Sequence, residues 1–213
     1  MLVPKKTVSV VLNVFRRSEH FERQLAAIRS QSVSPTEILV WENGEQEVPK
    51  HLIDGLVIAK CSDNLGVWAR FAYALNATSD YVCVFDDDTI PGPRWFENCI
   101  NTLETHDGLL GTRGVVFDTT SSYTLNHDVG VHAPNEKTLP VDIVGHSWFF
   151  RRELLESFWA RYADRHSNPL AGEDIHFSFA VQQTGKSTYV PPHPKDDLEV
   201  WGSLPQYAKT LGV

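Results

Sequence analysis

Short runs of apolar residues recur along the first part of the chain, and more polar stretches separate them. Four of these runs, TVSVVLNV, TEILVW, LVIAK and YVCVF, have the length and apolar character that are typical of strands. The fourth run, Tyr81–Phe85, shows no alternation with polar residues, as expected of a strand that is covered on both faces. The pattern therefore predicts four strands before Asp86.

Helical spacing occupies two of the segments between these strands. A first helix is capped by Ser18, and one of its faces carries Phe21, Leu25 and Ile28. A second helix repeats apolar residues at i, i+3, i+4 and i+7, namely Trp68, Phe71, Ala72 and Leu75. Strands that alternate with helices pair in parallel through helical crossovers, so we expect a parallel sheet.

The second half of the chain is less regular. It predicts a helix over about Pro93 to Glu104, a helix near Arg152 to Tyr162 and a helix that starts at Gly172. The runs RGVVF, VDIVG and STYVPP predict further strands, and a segment rich in Gly, Ser, Thr and Asn lies between the first two. We interpret the chain as one α/β domain whose second half carries a smaller antiparallel piece.

Three consecutive carboxylates, Asp86, Asp87 and Asp88, directly follow the fourth strand. Adjacent acids repel one another, so a folded protein keeps them in water or beside a compensating positive charge. A solvated turn that caps the next helix would accommodate them. However, ligands in open α/β sheets sit beyond the carboxyl ends of buried strands, and hard oxygen ligands suit Mg²⁺ or Mn²⁺ together with a phosphate. We therefore predict a metal and phosphate site at this strand end.

Composition permits an enzyme and argues against one class of partner. The chain has 213 residues, of which 42% are hydrophobic, and can bury a substantial core. Its net charge is −8 and no stripe of Lys or Arg is visible, so nucleic acid is not an expected partner. Cys61, Cys83 and Cys99 are odd in number and lack metal-ligand spacing, so we expect reduced thiols and a cytoplasmic location. The first apolar run is too short to span a membrane.

Six blocks of the sequence resemble, in order, the nucleotide-sugar glycosyltransferases of the GT-A fold: VSVVLNVFRRSEHFERQLAAIRSQ, EILVWENG, NLGVWARFAYAL, FDDDTIPGPRWF, DIVGHSWFFRRELLESF and GEDIHFSFAVQQTGKSTYV. The resemblance covers about residues 7 to 194, and the acid cluster matches the DXD motif of that fold. FDDDT, VGHSWFFRRELLESF and EDIHFSFAVQQTGKS are most similar to the exostosin-like transferases. The chain is also similar to the amino-terminal domain of chlorovirus glycosyltransferases that modify the capsid protein.

The resemblance implies a single Rossmann-like GT-A domain over residues 1–213, with a mostly parallel central sheet flanked by helices. About residues 1–90 would form the nucleotide-binding half, and about residues 91–213 the sugar and acceptor half. The implied activity is metal-dependent transfer of a sugar from a UDP-sugar to a glycan or glycoprotein acceptor, with retention. The acceptor could be a viral capsid glycan, in which case the location would be the host cytoplasm.

Within this resemblance, Asp86 meets the ribose or the metal shell, and Asp88 coordinates the Mn²⁺ or Mg²⁺ that offsets the charge of the departing diphosphate. Asp87 is grouped with the donor-binding residues but points the other way, because successive side chains of an extended segment alternate. His193, after the last strand, is a candidate further metal ligand. By the resemblance, His146 stands where other members carry a small or polar residue close to the donor sugar, but we interpret it as a packed core histidine.

The resemblance also assigns five residues to the nucleotide: Arg17, Glu42, Asn43, Asn64 and Arg70. Arg17 follows the first strand, and the adjacent Arg16 is an alternative to it. Either Glu42 or Asn43 meets the uracil, although Asn-Gly is also a common turn pair. Asn64 precedes a helix N-terminus, where backbone donors favour an anion, and Arg70 lies off the apolar stripe of that helix.

Glu173 and Asp174 open a predicted helix that is apolar around most of its circumference, through Ile175, Phe177, Phe179, Ala180 and Val181. Acids are favoured in a first helical turn by the macrodipole alone. A pair that the rest of the helix holds inside the protein has a further role in most cases. The resemblance places the pair beside the sugar and the acceptor hydroxyl, as base, orienting group or stabiliser of positive charge at the anomeric carbon.

Three other functions remain open at this point. Asp86 and Asp88 after an apolar strand also fit haloacid-dehalogenase-like phosphatases, with the KDD run from Lys195 to Asp197 as a second acid site, although that motif usually lies on a first strand. A sugar nucleotidyltransferase would need a Gly-rich phosphate loop, which LNVFRRSEH lacks. A catalytically silent UDP-sugar-binding module is the non-enzyme alternative.

Overall fold

The computed structural model describes residues 6–15, 18–119, 121–122, 124–161 and 170–207. Strands and helices alternate in the first part of the chain, as β1 Val8–Val14, α1 Ser18–Arg29, β2 Glu37–Asn43, β3 Leu56–Cys61, α2 Ala69–Tyr73 and β4 Tyr81–Phe85. The second part contains α3 Trp95–Thr105, β5 Gly108–Phe117, β6 Asn126–Gly130, β7 Leu139–Val141, β8 Ile143–Arg151, α4 Leu155–Ala160, α5 Glu173–Gln182 and β9 Ser187–Val190.

The described strands form one nine-stranded sheet in the order β3-β2-β1-β4-β8-β5-β9-β7, and β6 pairs with β5 outside this path. The first four strands are parallel to one another. β8 is antiparallel to both β4 and β5, whereas β9 runs parallel to β5. The predicted α/β class, with a parallel first half and an antiparallel piece in the second, is therefore confirmed.

Both faces of the central strands are covered, which explains the lack of polar alternation in YVCVF. Val10 and Leu12 of β1 face α1 and α3, where they join a core that includes Phe96. Val11 faces the opposite side, in the core that contains Phe71 of α2 together with aromatic residues of α4 and α5. Alternate residues of β1 thus serve two separate cores.

The apolar stripe predicted for the second helix is only partly correct. Trp68 and Phe71 are buried, but Ala72 and Leu75 are exposed. The α-helix ends at Tyr73 and a 3₁₀ turn follows it. Because the two helices differ in the number of residues per turn, Leu75 does not lie on the face that a continuous α-helix would give it. Arg70, which was expected to lie off the stripe, is buried beside Phe71.

The second half differs from the sequence pattern in two further respects. β6 and β7 were not predicted, because β6 is polar and β7 spans only three residues. In α5, Ile175 and Phe179 are about half exposed, so this helix has a solvent face that its apolar composition did not indicate.

Among the described residues, no helix has both the length and the apolarity needed to cross a bilayer.

Candidate active site

The acid turn after β4 is held in place by hydrogen bonds from two sides. Gln24, a buried residue of α1, donates from Nε2 to the carbonyl oxygens of Asp86 at 2.6 Å and Thr89 at 2.8 Å. On the other side, the carbonyl oxygen of His146 accepts hydrogen bonds from the backbone N–H of Asp86 at 3.0 Å and from Oγ1 of Thr89 at 2.9 Å. The three acids therefore sit on a fixed turn at the carboxyl end of the parallel strands.

A β-bulge in β8 brings His146 to this turn. Gly111 pairs with Trp148 and Arg113 with Gly145, so one residue of β5 lies opposite two residues of β8. His146 is one of these two, and its φ of 65° lies in the left-handed region that few residues other than glycine adopt. Bulges of this kind redirect side chains, and they are enriched next to active sites.

Asp86, Asp88 and His146 each offer a ligand atom, and these atoms lie within 4.8 Å of one another. Asp88 is buried, and Nδ1 of His146 lies 3.8 Å from Oδ2 of Asp86. This Nδ1 is itself buried, and no hydrogen-bond partner for it is found among the described residues. Two carboxylates and an imidazole nitrogen with spare capacity fit a divalent cation.

His193 does not join this group, contrary to its prediction as a metal ligand. It is fully buried, its Nε2 accepts from the N–H of Gly202 at 3.2 Å and lies 3.0 Å from Oγ1 of Thr112, and its Nδ1 lies 2.8 Å from the carbonyl oxygen of Pro191. Burial lowers the pKa of His193 to about 4. The interpretation as a packed core histidine was applied to His146 but describes His193.

Arg70 connects the acid turn to the start of α5. Its guanidinium is buried, pairs with Asp86 through Nη1 and lies 2.7 Å from Oε1 of Glu173 through Nη2. The ring of Trp148 lies below it, with the guanidinium carbon 4.7 Å from the ring centroid. Arg70 was predicted to turn toward an anionic nucleotide, and in the structure its guanidinium contacts two carboxylates of the protein itself.

Glu173 and Asp174 form the first turn of α5, which begins after Gly172 in a left-handed conformation (φ 87°). Burial raises the pKa of Glu173 to about 7, although Arg70 acts in the opposite direction. Burial also raises the pKa of Asp174, against a hydrogen bond of 2.7 Å from the N–H of Ile175. Glu173 can therefore take up a proton near neutral pH, and burial makes the carboxylate of Asp174 a stronger base than that of an exposed aspartate.

A cavity of about 170 Å³, which we call the acidic cavity, lies in front of these groups. Its polar lining comprises Asp86, Glu173 and Asp174 together with Arg113 and His146. Gly145 also lies on its wall, and a Cβ atom added there would meet no other atom within 4 Å. Arg113 was not predicted from the sequence as a site residue.

A second cavity, of about 260 Å³, is lined by Asn13, Asn43, Asn64 and Arg70 among others, and we call it the asparagine cavity. Asn43 donates from Nδ2 to Oδ1 of Asn64 at 2.9 Å and accepts the N–H of Leu65 at 2.8 Å. The two asparagines thus fix the loop that precedes α2. Arg70 lines this cavity and binds two acids of the other one, so it lies between them.

The remaining predicted residues lie in different surroundings. Glu42 is buried, and its Oε1 accepts the N–H of Val48 at 2.7 Å, so it orders the loop after β2. Asp87 is half-buried in the acid turn and is not part of the three-residue metal group. Arg17 and Arg16 lie outside the described residues.

Residues 9–159 match the protein-family model described as Glycosyl transferase family 2. A curated relative, the glucosyl-dolichyl phosphate glucuronosyltransferase of Haloferax volcanii, is 28% identical over 118 residues, which are 51% of this chain and 38% of the relative. The chain therefore spans well under half the length of that relative.

Solved structures show the same fold. The mannosyltransferase PcManGT from Pyrobaculum calidifontis, in complex with GDP-Man and Mn²⁺, aligns with a TM-score of 0.59 and 17% identity over 91% of this chain and 59% of its own. S. aureus TarS aligns with a TM-score of 0.61 and 13% identity over 87% of this chain and 36% of its own. These similarities, together with the sheet order, identify the GT-A fold that the sequence predicted.

Proposed function

The chain belongs to glycosyltransferase family 2, and we propose that it transfers a sugar from a UDP-sugar to a hydroxyl group of a glycan or glycoprotein. The observation that carries this proposal is the position of the Asp86, Asp88 and His146 group at the carboxyl edge of the sheet, beside the acidic cavity and next to Arg70, which lines the asparagine cavity. A nucleotide sugar has two parts that need separate sites, and its diphosphate lies between them. The nucleotide would occupy the asparagine cavity and the sugar the acidic cavity.

Asp86, Asp88 and His146 are the residues that would hold a divalent cation, and such a cation supplies positive charge that offsets the charge developing on a departing diphosphate. The imidazole in the ligand set favours Mn²⁺, a transition metal, over Mg²⁺, which prefers oxygen ligands alone. Gln24 and the carbonyl oxygen of His146 keep the acid turn rigid, so its carboxylates are oriented before any ligand binds.

Asp174 is the residue that we propose as the base for the acceptor hydroxyl. It lines the acidic cavity, and burial raises its pKa, which makes its carboxylate a stronger base. Glu173 is bound to Arg70, so its part is to hold that guanidinium between the two cavities. Arg70 in turn supplies a fixed positive charge beside the expected position of the diphosphate.

The stereochemical course has two candidates. Retention rests on the resemblance of FDDDT and EDIHFSFAVQQTGKS to the exostosin-like transferases. A cavity-lining Asp174 with a raised pKa also supplies the base that an inverting reaction requires. Proton NMR of the first product formed, compared with the donor, decides between the two.

The donor base, the acceptor and the cellular location are further parts of the proposal. UDP follows from the sequence resemblance, whereas PcManGT is described with GDP-Man, so both nucleotides belong in the first test. A glycoprotein acceptor, including a viral capsid glycan, rests on the resemblance to chlorovirus transferases. Cys61, Cys83 and Cys99 are all free thiols, as expected of a reducing compartment such as the cytoplasm.

The phosphatase alternative finds less support. Its second acid site would be the segment from Lys195 to Asp197, but Asp197 pairs with Arg94 near the start of α3. The acid turn follows the fourth strand along the chain rather than the first. Release of phosphate from simple esters, without any need for a nucleotide, would favour the phosphatase instead.

The test is calorimetry of UDP and GDP with the full chain, in Mn²⁺ and in EDTA. We expect one nucleotide to bind tightly only with Mn²⁺, because without it the diphosphate faces unscreened carboxylates. Asp88→Asn should remove most of the metal effect. Asp107→Asn, at an exposed ion pair with Lys186, is the matched control and should behave as the wild type. Equal affinity in Mn²⁺ and EDTA contradicts the assignment, and binding without transfer to any acceptor would indicate a silent binding module.

A further inference from the structure

The arginine on the wall of the acidic cavity has no part in the chemistry described so far. Arg113 lies on β5 opposite Gly145, next to the bulge, and about a third of its side chain is exposed. Its Nη1 lies 3.4 Å from Nε2 of His146, whose Nδ1 faces Asp86 at 3.8 Å. The imidazole ring therefore lies between the guanidinium and the acids of the metal group.

Asp128 fixes the orientation of this guanidinium. Both Nε and Nη2 of Arg113 lie 2.9 Å from Oδ1 of Asp128, on the neighbouring strand β6. This contact occupies one edge of the guanidinium. The other edge, formed by Nη1 and the second N–H of Nη2, is the kind of edge that binds carboxylates with two parallel hydrogen bonds.

The distribution of charge divides the acidic cavity into two ends. Asp86, Glu173 and Asp174 make one end acidic, whereas Arg113 makes the other basic. Asp128 offsets part of this charge, but a ligand carboxylate at the remaining edge of Arg113 would still gain charge-assisted hydrogen bonds.

We propose that Arg113 recognises a carboxylate on the donor sugar, so that the preferred donors are nucleotide hexuronates. The inference rests on the proposed function, because it takes the acidic cavity as the site of the sugar. A volume of about 170 Å³ suits one sugar ring rather than a whole nucleotide sugar. The carboxylate of a hexuronate is attached to the ring carbon across the ring oxygen from the anomeric carbon. With the anomeric carbon beside the metal group, the carboxylate would therefore lie toward Arg113, whose guanidinium is separated from that group by the imidazole of His146.

The experiment compares donors that differ only in this carboxylate. Calorimetry in Mn²⁺ measures UDP-glucuronate against UDP-glucose and GDP-mannuronate against GDP-mannose, with free UDP and GDP as references. For the nucleotide that binds, we expect the hexuronate to bind about tenfold or more tightly than the neutral sugar. Arg113→Gln should abolish this preference. Arg151→Gln, an arginine of similar exposure that pairs with Asp107, should keep it.

The outcomes separate this inference from the function on which it rests. If neither free nucleotide binds, the proposed function fails. If a nucleotide binds but the two sugars of a pair have equal affinity, only the recognition of a carboxylate is overturned. It is also overturned if Arg113→Gln weakens both sugars by the same factor, which assigns Arg113 to hydroxyl groups, or if the preference survives the substitution. Thermal unfolding of each variant verifies that it is folded.

Discussion

Arg70 and Glu173, which are 103 residues apart in the chain, meet in a buried ion pair in which Nη2 of the arginine lies 2.7 Å from Oε1 of the glutamate. The same guanidinium pairs with Asp86. One positive charge therefore connects three segments that are distant in sequence: α2, the turn after β4 and the first turn of α5. The stability of the fold and the geometry of the candidate site depend on the same contact.

The first prediction concerns the energy of this contact. Arg70→Ala leaves two largely buried carboxylates without their cation, so we expect a loss of about 3–5 kcal/mol in the free energy of unfolding. Arg94 also pairs with two acids, Asp197 and Glu199, but at the surface, so Arg94→Ala should change stability little. Urea denaturation of both variants above pH 7, where Glu173 is ionised, measures the difference. Equal, small losses would show that the buried pair does not hold the three segments together.

The second prediction separates the two histidines. Glycine adopts the φ of 65° at position 146 without strain, so His146→Gly should keep the stability of the wild type while Mn²⁺ affinity falls about tenfold or more. His193→Ala should have the opposite effect. It removes a ring packed between Trp95 and Trp201, so we expect a loss of about 2–5 kcal/mol in stability with Mn²⁺ affinity retained. Electron paramagnetic resonance of Mn²⁺ and urea denaturation test both variants. Mn²⁺ affinity lost through His193 instead of His146 would restore the original assignment of the metal ligand.

The third prediction is a pH dependence that Glu173 causes. The folded chain keeps a proton on Glu173 up to about pH 7, because burial raises its pKa from 4.5. Between these values the unfolded chain binds fewer protons, so this group lowers wild-type stability as pH rises, by about 1.4 kcal/mol per pH unit. Glu173→Gln lacks the ionisation. Its stability relative to the wild type should therefore increase from about pH 4.5 to about pH 7.

Urea denaturation in EDTA at several pH values measures this difference. The lowered pKa values of His146 and His193 act on both proteins, so their contributions cancel in the comparison. Glu104→Gln, at a surface ion pair with Lys6, is the matched control. A difference between Glu173→Gln and the wild type that stays constant with pH would show that Glu173 ionises alike in the folded and unfolded chains.

The fourth prediction concerns catalysis. Asp174→Asn keeps the shape of the side chain but removes the base, so transfer should fall by about 100-fold or more while nucleotide affinity stays unchanged. Release of the nucleotide from the donor, with calorimetry of the free nucleotide, measures the two effects separately. Asp107→Asn again serves as the control. If Asp174→Asn weakens nucleotide binding as much as it slows transfer, the residue acts on the nucleotide and another group is the base.

The sequence predicted the features that depend on local patterns. The apolar runs of β1 to β4 locate the parallel half, and the three acids after YVCVF mark the edge at which the site lies. The roles of His146 and Arg113 were not recognised because His146 reaches the site through a bulge in β8 and Arg113 lies beside that bulge, and a bulge depends on the register between two strands. The sequence VGHSWFF gives no sign that two of its residues lie opposite one residue of β5. The burial of Arg70 was also missed, because the carboxylates that it meets, on Asp86 and Glu173, come from other segments of the chain.

Gly145 is a position at which a substitution could change the acidic cavity during evolution. The residue lies on the wall of the acidic cavity, its φ is not in the left-handed region, and open space lies in front of its Cα hydrogen. A Cβ atom at this position therefore has room without displacing the backbone. Position 145 is thus a starting point for selecting variants in which a side chain on the cavity wall changes the size of the ligand that is accepted.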